Sequence, residues 1–248
     1  MIPRLTVKLK DRCQTELVVI ACVSSTDLDQ TVAPLEALSR RERRHYSQLR
    51  HPIRRQHYLL GRLAAKTAVA ERINHKDLTK ISIESGRFGQ PVLRGSSNYC
   101  TSVTISHTHN SALAIAHDSG HPLGVDIENV SRKRCLALGH QRMPARILNP
   151  TCCFLSELQL FHLIWSVREA MSKALLCGIT CSPAVLDIDI FKIQRDGICI
   201  GDFTHFKQYQ FCAWLSHSFA ISIVCSKKAG LGRHLHSIKN FTRTNLRT

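Results

Sequence analysis

Residues 122–130 read PLGVDIENV, and this short stretch decides the expected fold. Its alternating pattern predicts a β-strand, in which residues two apart point to the same face. Asp126 and Glu128 would then lie beside Gly124 on one face, while the apolar residues between them point into a core. Adjacent carboxylates raise each other's pKa unless a positive charge lies between them. The stretch is compatible with a solvated acidic face that pairs with arginines, or with a site for Mg²⁺, which binds one or two carboxylates.

A second stretch, FHLIWSVREAMSKALLCGI at 161–179, has the apolar spacing of an amphipathic helix. Its apolar stripe centres on Val167. Trp165, Glu169 and Lys173 fall on the opposite side, one turn apart. A Glu–Lys pair at this spacing is commonly an exposed helix pair. The large aromatic residue on the same face predicts that this face is covered too, by a ligand or by another part of the chain.

Composition is typical of a globular domain: 44% of the 248 residues are hydrophobic and 21% are charged. Neither a signal peptide nor an apolar run long enough to span a membrane is recognisable, so we expect a cytoplasmic protein. The net charge of +16 indicates an anionic partner without identifying it.

The eleven cysteines do not match a structural zinc pattern. Neither Cys152–Cys153 nor the Cys177-x3-Cys181 pair has the required spacing, so we expect reduced thiols, most of them buried. His107-x-His109 could ligate a metal, but the sequence offers no neighbouring ligands for it.

The segment 40–62 is the densest positive stretch, with eight arginines against one acid, Glu42. It is either a solvated helix face or an anion site, since guanidinium groups match phosphate oxygens in pairs. Ser39 and Glu42 form a capping-box pattern that predicts a helix start, and Pro52 suits the first turn of a second helix.

The order helix, strand, turn, strand, Ser-His, strand occurs twice, and Arg62 and Lys66 recur 107 positions later as Glu169 and Lys173. Self-similarity at a fixed offset indicates duplicated architecture. We therefore expect an α+β fold built as a pseudo-dimer of two similar α/β halves, with a cleft between them. The halves would span 1–120 and 121–226, and the basic segment 227–248 would be a loosely ordered, flexible tail.

Three motifs, VTISHT, PLGVDIENV and IWSVREAMSKAL, occur in this order. Together they resemble the 4'-phosphopantetheinyl transferases of the long, surfactin-synthetase-activating type, from about Leu38 to Cys225. The resemblance implies a two-half pseudo-dimer. It also implies an enzyme that transfers 4'-phosphopantetheine from coenzyme A to a serine of an apo acyl or peptidyl carrier protein, releasing 3',5'-ADP.

The resemblance also assigns roles to residues. Asp126, Glu128 and Glu169 would hold Mg²⁺ on the pyrophosphate of coenzyme A, so the C-terminal half would be the metal-binding and catalytic one. Glu169 would also accept the proton of the carrier serine, and Lys173 would stabilise the departing 3',5'-ADP. The coenzyme A contacts, most of them in the N-terminal half, would be Ser106, His107, Arg54, Arg55, Arg62 and Lys173.

Two departures from the family pattern stand out. Gln90 replaces the lysine of a Gly-Lys-Pro turn, which removes one cation, and Arg87 or Arg94 is a candidate to compensate for it. Arg168 replaces the lysine before the catalytic glutamate, which keeps the charge.

Three other functions fit parts of the sequence: a basic nucleic-acid-binding protein, a metal-dependent phosphodiesterase or nuclease, and a transferase fold that has lost activity. The first leaves the three acids without a role, and no nucleic-acid-binding module is recognisable. Under the transferase interpretation, we expect a monomer that binds the acidic helix of a carrier protein, without a membrane or nucleic-acid partner. Carriers of fatty acid, polyketide and non-ribosomal peptide synthesis all fit that description.

Overall fold

A computed structural model describes residues 2–10, 15–30, 34–94, 100–138, 143–148, 155–178 and 180–246. It confirms the predicted α+β class. The described strands are β1 Arg4–Lys10, β2 Thr15–Ser24, β3 Ser82–Ser85, β4 Pro91–Arg94, β5 Thr101–His107, β6 Ser111–Asp118, β7 Leu123–Asn129, β8 Arg146–Leu148, β9 Ile188–Ile193, β10 Cys199–Phe203, β11 Tyr209–Ser216 and β12 Phe219–Ser226. The described α-helices are α1 Ser25–Gln30, α2 Arg40–Gln48, α3 Pro52–Arg72, α4 Arg132–Leu138, α5 Glu157–Ala174 and α6 Leu235–Asn245.

Two sheets pack against each other and each carries a long helix on its outer face. The first has the order β1-β2-β6-β5 and the second β7-β12-β11-β10-β9-β8, while β3 and β4 form a separate hairpin. Successive side chains of a strand point to opposite faces of the sheet, so neighbouring residues join different cores. In β2, Val19 and Ala21 pack toward α3, whereas Val18 and Ile20 join the core between the sheets. A third core lies between α5 and the second sheet.

The strand order repeats along the chain. After β2 and α3 come β3 to β6, arranged as β2-β6-β5 with the β3-β4 hairpin following in contact with β5. After β7 and α5, strands β9 to β12 form β7-β12-β11-β10-β9. This parallel supports the predicted pseudo-dimer of two similar halves, which stays a prediction, as do the boundaries of the halves.

The sheets meet at a corner where β5 faces β7. Because β7 is an edge strand, its outward N–H groups need partners from outside its own sheet. Thr104 accepts a hydrogen bond from the Val125 N–H at 3.3 Å, and Ser106 accepts one from the Ile127 N–H at 3.2 Å. Hydroxyls of the first sheet thus complete the edge strand of the second sheet.

Local signals start the long helices where the sequence predicts them. Ser39 and Glu42 form the capping box of α2, and Pro52 occupies the first turn of α3. Helix α5 begins with a second capping box, in which Ser156 and Gln159 exchange hydrogen bonds.

The prediction of a loosely ordered tail over 227–248 is wrong for the residues described there. Two short 3-10 turns lead into α6, and Leu231, Leu235 and Ile238 are buried in the core between the sheets. Trp214 donates a hydrogen bond to the Thr242 hydroxyl at 3.1 Å. The apolar positions of this segment are few and widely spaced, so their partners emerge only when β2 and β11 are in place.

Two further strands differ from expectation. β1 pairs with β2 along its full length but was not predicted, because basic residues alternate with its apolar ones. β8 was not predicted either; it follows α4 in the chain and pairs in parallel with β9.

Among the described residues, no helix is both long and apolar enough to cross a membrane. The described cysteines are free thiols, as expected, and Cys22, Cys199, Cys212 and Cys225 are buried. Cys152 and Cys153 lie outside the described residues.

Candidate active site

Gly124 lets α5 lie directly on β7. A Cβ atom at this position would be 1.9 Å from the Ala170 carbonyl oxygen, so any other residue would push the helix away. The close approach brings Lys173 of α5 into hydrogen-bonding distance of Asp126 on β7 and Glu169 close enough to interact with it electrostatically. The predicted orientation of β7 is confirmed, because Val125 and Ile127 point into the core between the sheets.

Asp126 lies at the centre of this arrangement with 3% of its surface exposed. Its Oδ1 accepts hydrogen bonds from the Ser106 hydroxyl at 2.8 Å and from Lys173 Nζ at 2.7 Å. Its Oδ2 is buried and has no hydrogen-bond partner among the described residues. A buried carboxylate oxygen without a partner is costly unless a ligand completes its environment.

Glu128 lies one strand pleat further along and is held by two donors. Its Oε1 accepts from Arg134 Nη2 at 3.1 Å and from Trp165 Nε1 at 3.3 Å. Trp165 is only 9% exposed, so this face of α5 is covered, as predicted. Glu128 is one of the residues that cover it. Burial raises the pKa of Glu128 above its usual value, and the charge of Asp126 adds to that effect.

Glu169 has the strongest carboxyl perturbation at the site. Burial and, to a lesser extent, the charge of Asp126 together raise the pKa of Glu169 to about 7, and Lys173 opposes the shift. A carboxyl group with a pKa near neutrality can accept and release a proton at physiological pH.

The three acids interact electrostatically, but in the described residues no group of three or more His, Cys, Asp or Glu side chains is gathered as metal ligands. The residues nevertheless fit a hard dication. Asp126 raises the pKa of both glutamates, Glu128 raises that of Glu169, all donors are oxygens, and Asp126 Oδ2 has no hydrogen-bond partner among the described residues. Lys173 supplies the neutralising charge beside Asp126.

The structure places the predicted Ser-His pair in two environments. The Ser106 hydroxyl is buried and binds Asp126, so it holds that carboxylate in position. His107 is exposed at the end of β5, where its ring centroid lies 4.8 Å from that of His57 on α3. His109 completes this group, with its ring centroid 6.0 Å from that of His57. Sequence reasoning did not assign His57 a role, because nothing local links it to residues fifty positions away.

The three arginines predicted to bind coenzyme A differ in the contacts that their guanidinium groups already make. Arg54 is exposed on α3. Arg55 donates to the Leu49 carbonyl oxygen at 2.7 Å and lies over the ring of Tyr46. Arg62 lies over the ring of Tyr58, with its Nε 3.8 Å from a carboxylate oxygen of Glu42.

The buried carboxylate of Glu42 also pairs with Lys66, which is fully buried. Lys66, which the predicted duplication matches with Lys173, therefore forms a buried structural ion pair with Glu42.

Gln90, the departure from the family pattern, belongs to the turn of the β3-β4 hairpin. Its Oε1 accepts from the Phe88 N–H at 2.9 Å, and its side chain folds over Gly86, where a Cβ would be 2.4 Å from it. Arg94 pairs with Glu84 at 3.4 Å, and Arg87 is exposed. Arg168, the second departure, is buried and pairs with Asp187 at 3.4 Å.

A cleft of about 430 Å³ begins at Glu169 and Lys173 and runs along β5. Its walls come from both parts of the chain: Phe88, Val92 and Val103 on one side, Leu123 and Leu176 on the other. Phe88 and Leu176 are exposed apolar residues near its mouth. The cleft can accept an uncharged organic group beside the charged site.

Comparison with known proteins supports this assignment. Residues 122–226, which contain β7, α5 and the three acids, match the family model described as the 4'-phosphopantetheinyl transferase superfamily. The match assigns this region, which is less than half of the chain, to the superfamily. The predicted family and enzyme class, a phosphopantetheinyl transferase, are confirmed at this level, while the long surfactin-synthetase-activating subtype stays a prediction.

Two further comparisons were made. Among solved structures, the chain is similar to a holo-(acyl-carrier-protein) synthase from Bacillus anthracis str. Ames in complex with CoA (3',5'-ADP). The TM-score is 0.37 and the identity 18%, over 45% of this chain and 97% of that one. No curated protein matches the chain.

Proposed function

We propose that this phosphopantetheinyl transferase moves the 4'-phosphopantetheine group from coenzyme A to a serine of an apo acyl or peptidyl carrier protein. The observation that carries the proposal is the placement of Glu169 and Lys173 over Asp126, within the region that matches the superfamily. The remaining contacts follow from this geometry.

Glu169 is the proton acceptor in the proposed reaction. Its pKa of about 7 means that a large fraction of the group is ionised at neutral pH, while it keeps enough basicity to take a hydroxyl proton. The serine oxygen attacks the β-phosphorus of coenzyme A as Glu169 removes its proton. The bond between that phosphorus and the bridging oxygen breaks, and 3',5'-ADP leaves with the bond electrons.

Lys173 is the fixed cation that stabilises the leaving group. It holds Asp126 at 2.7 Å while a quarter of its side chain stays exposed, so its remaining N–H donors can reach a ligand in the cleft. Transfer of this kind depends mainly on positioning and on preorganised charge.

Asp126, Glu128 and Glu169 would hold a magnesium ion. Bound there, the ion would neutralise charge that builds on the pyrophosphate oxygens during transfer. Arg134 and Trp165 keep Glu128 oriented toward the site, and Ser106 does the same for Asp126.

The cleft lined by Phe88, Val103 and Leu176 would bind an uncharged part of coenzyme A beside the pyrophosphate. The exposed basic residues of α2 and α3 would attract an acidic carrier protein, since opposite surface charges accelerate association.

The deciding experiment incubates the protein with coenzyme A, Mg²⁺ and a panel of apo carrier proteins and measures carrier mass. We expect a gain of one phosphopantetheine on at least one carrier. Asp126→Ala and Glu169→Gln should abolish this gain with unchanged circular dichroism. Glu157→Gln, at an exposed acid in the first turn of the same helix, is the matched control and should be active.

Absence of a mass gain across the panel would refute the proposal. Hydrolysis of coenzyme A without a carrier would instead indicate the phosphodiesterase alternative. Full activity of both acid variants would refute the residue assignment.

A further inference from the structure

Helix α4 lies beside the candidate active site but has little buried surface to hold it there. Its side chains over 132–137 are exposed, apart from the half-buried Cys135. The helix is only seven residues long. A helix of this length is not stable by itself, and most helices are held in place by a buried apolar face. The position of α4 therefore depends on the contacts at its first turn.

The contact that ties this first turn to the core comes from α5. Ser131, which directly precedes α4, donates its N–H to His162 Nε2 at 3.1 Å. The Ser131 hydroxyl accepts from the Arg134 N–H at 3.4 Å, and the Ser131 carbonyl oxygen accepts from the Cys135 N–H at 3.0 Å. The residue that starts α4 is thus bonded to an imidazole of the neighbouring long helix.

The tautomer of His162 follows from these contacts. Its Nε2 also lies 3.0 Å from the Ser131 carbonyl oxygen, which already has the Cys135 N–H as a donor. Both Ser131 groups are satisfied only when Nε2 is the acceptor, which places the imidazole proton on Nδ1.

This arrangement has a cost in stability. His162 is fully buried, and its Nδ1 has no hydrogen-bond partner among the described residues. An unsatisfied buried donor is unfavourable, and an apolar side chain at this position would avoid the penalty. Local exceptions of this kind are expected at functional sites.

The consequence of the contact is felt at Glu128. Arg134, in the first turn of α4, donates to Glu128 Oε1 at 3.1 Å. Trp165, one turn after His162 on α5, donates to the same oxygen at 3.3 Å. Because both donors use Oε1, Oε2 is the oxygen that can serve a bound cation. The Arg134 side chain is 49% exposed, so burial does not hold it against Glu128.

We propose that His162 is a positioning residue of the metal site. Through Ser131 it fixes the start of α4, so that Arg134 meets Glu128 and leaves Oε2 free for the dication. The inference rests on the proposed function, because that function supplies the metal. Residues that orient a metal ligand from outside the coordination sphere commonly change metal affinity by about 10–100-fold. His162 acts through two intermediate residues, so we expect an effect at the lower end of this range.

The test measures metal binding in the absence of a carrier protein. Mn²⁺, which takes the same oxygen ligands as Mg²⁺, is titrated into the full chain with coenzyme A, and free Mn²⁺ is measured by electron paramagnetic resonance. His162→Leu should weaken Mn²⁺ binding about ten-fold. His162→Gln supplies an acceptor oxygen near the position of Nε2 and should restore most of the affinity.

A matched control separates this effect from a general loss of stability. Thr242 is fully buried in α6 and accepts a hydrogen bond from Trp214, far along the chain from the acids. Thr242→Val should lower the thermal unfolding temperature but leave Mn²⁺ affinity as in the wild type.

A double-mutant cycle tests the route of the effect. Glu128→Gln should weaken Mn²⁺ binding by itself. Addition of His162→Leu to Glu128→Gln should cause no further loss, because His162 acts through Glu128. Ser131→Ala removes the hydroxyl cap of α4 and leaves the imidazole in place. It should weaken Mn²⁺ binding in the same direction, and it replaces His162→Leu in the cycle if that variant does not fold.

Wild-type Mn²⁺ affinity in His162→Leu, or in Ser131→Ala if the former is unfolded, would overturn the inference. A loss that persists in the Glu128→Gln background, that His162→Gln does not restore, or that Thr242→Val shares would overturn it too. Because the readout is binding, it is separate from transfer. A protein that modifies no carrier but shows the effect of His162 through Glu128 supports this inference and refutes the proposed transfer, whereas an active transferase with unaffected variants does the reverse.

Discussion

Replacement of Gly124 by alanine tests how the site is assembled, because it adds one methyl group between β7 and α5. The added Cβ would be 1.9 Å from the Ala170 carbonyl oxygen and 2.7 Å from the Ala174 nitrogen. Both atoms belong to the helix backbone, so no side-chain rotation can relieve the contact. The helix must move away from the strand.

The size of this movement follows from the same distances. Contacts of a Cβ shorter than 3.0 Å essentially never occur, so α5 must shift by roughly 1.1 Å or more at this point. Overpacking of this kind costs about 1–3 kcal/mol of stability. A displacement of about 1 Å between catalytic groups can reduce a rate by about 100-fold. Because Glu169 and Lys173 lie on either side of the contact, we expect a loss of that order in kcat/KM.

The assay compares Gly124→Ala with Gly201→Ala, which makes an equivalent clash away from the site. A Cβ at Gly201 would be 1.8 Å from the Ile190 carbonyl oxygen, between β9 and β10. Both variants should show a lower thermal unfolding temperature. Only Gly124→Ala should lose carrier modification, measured by mass spectrometry well below the unfolding temperature and normalised to folded protein. Wild-type transfer in Gly124→Ala, or an equal loss in both variants, would refute the argument that α5 is positioned through this contact.

Three further predictions concern other parts of the molecule. In metal-free protein, ¹³C NMR titration of Glu169, assigned with Glu169→Gln, should give a pKa of about 7. Asp126→Asn should lower this pKa because it removes a nearby negative charge. An unchanged or higher pKa would contradict the proposed electrostatic coupling of the two residues. Ser106→Ala and Thr104→Val should each destabilise the fold by about 1–3 kcal/mol in urea unfolding, since each leaves a β7 N–H without its acceptor. Only Ser106→Ala should also reduce transfer, because Ser106 alone of the two binds Asp126. Ile238→Ala should lower the free energy of unfolding by about 2–5 kcal/mol, because it creates a cavity between the sheets. His236→Ala, at an exposed position of the same helix, should lower it by about 0.5 kcal/mol or less. Equal losses in the two variants would mean that α6 is not part of the core.

Much of the geometry of the candidate site could be predicted because it depends on local periodicity. The two-residue repeat of a strand puts Asp126 and Glu128 on one face. The 3.6-residue repeat of a helix puts Trp165, Glu169 and Lys173 on another. The capping box at Ser39 is equally local and is present. In each case the covalent chain itself sets the direction of the side chains.

The partners of those side chains could not be predicted in the same way. Arg62 is of a residue type that commonly binds phosphate, but its side chain lies against Tyr58 and Glu42. Gln90 stands where the family pattern has a lysine, so the sequence suggests the loss of a cation. In the structure its side chain is hydrogen-bonded within its own turn. The contact partner of such a side chain depends on which groups are nearest to it after folding, and sequence patterns do not contain that information.

The α+β class, the resemblance to the superfamily and the acidic strand and helix of the candidate site could be predicted from the sequence, because each depends on short segments or motifs. Only the tertiary structure decided that α6 completes the core, that Ser106 supports Asp126, and that His57 joins His107. Each of these depends on packing between segments far apart in the chain. The free energy of such packing comes from burial and from satisfied polar groups, which exist only when both segments are in place.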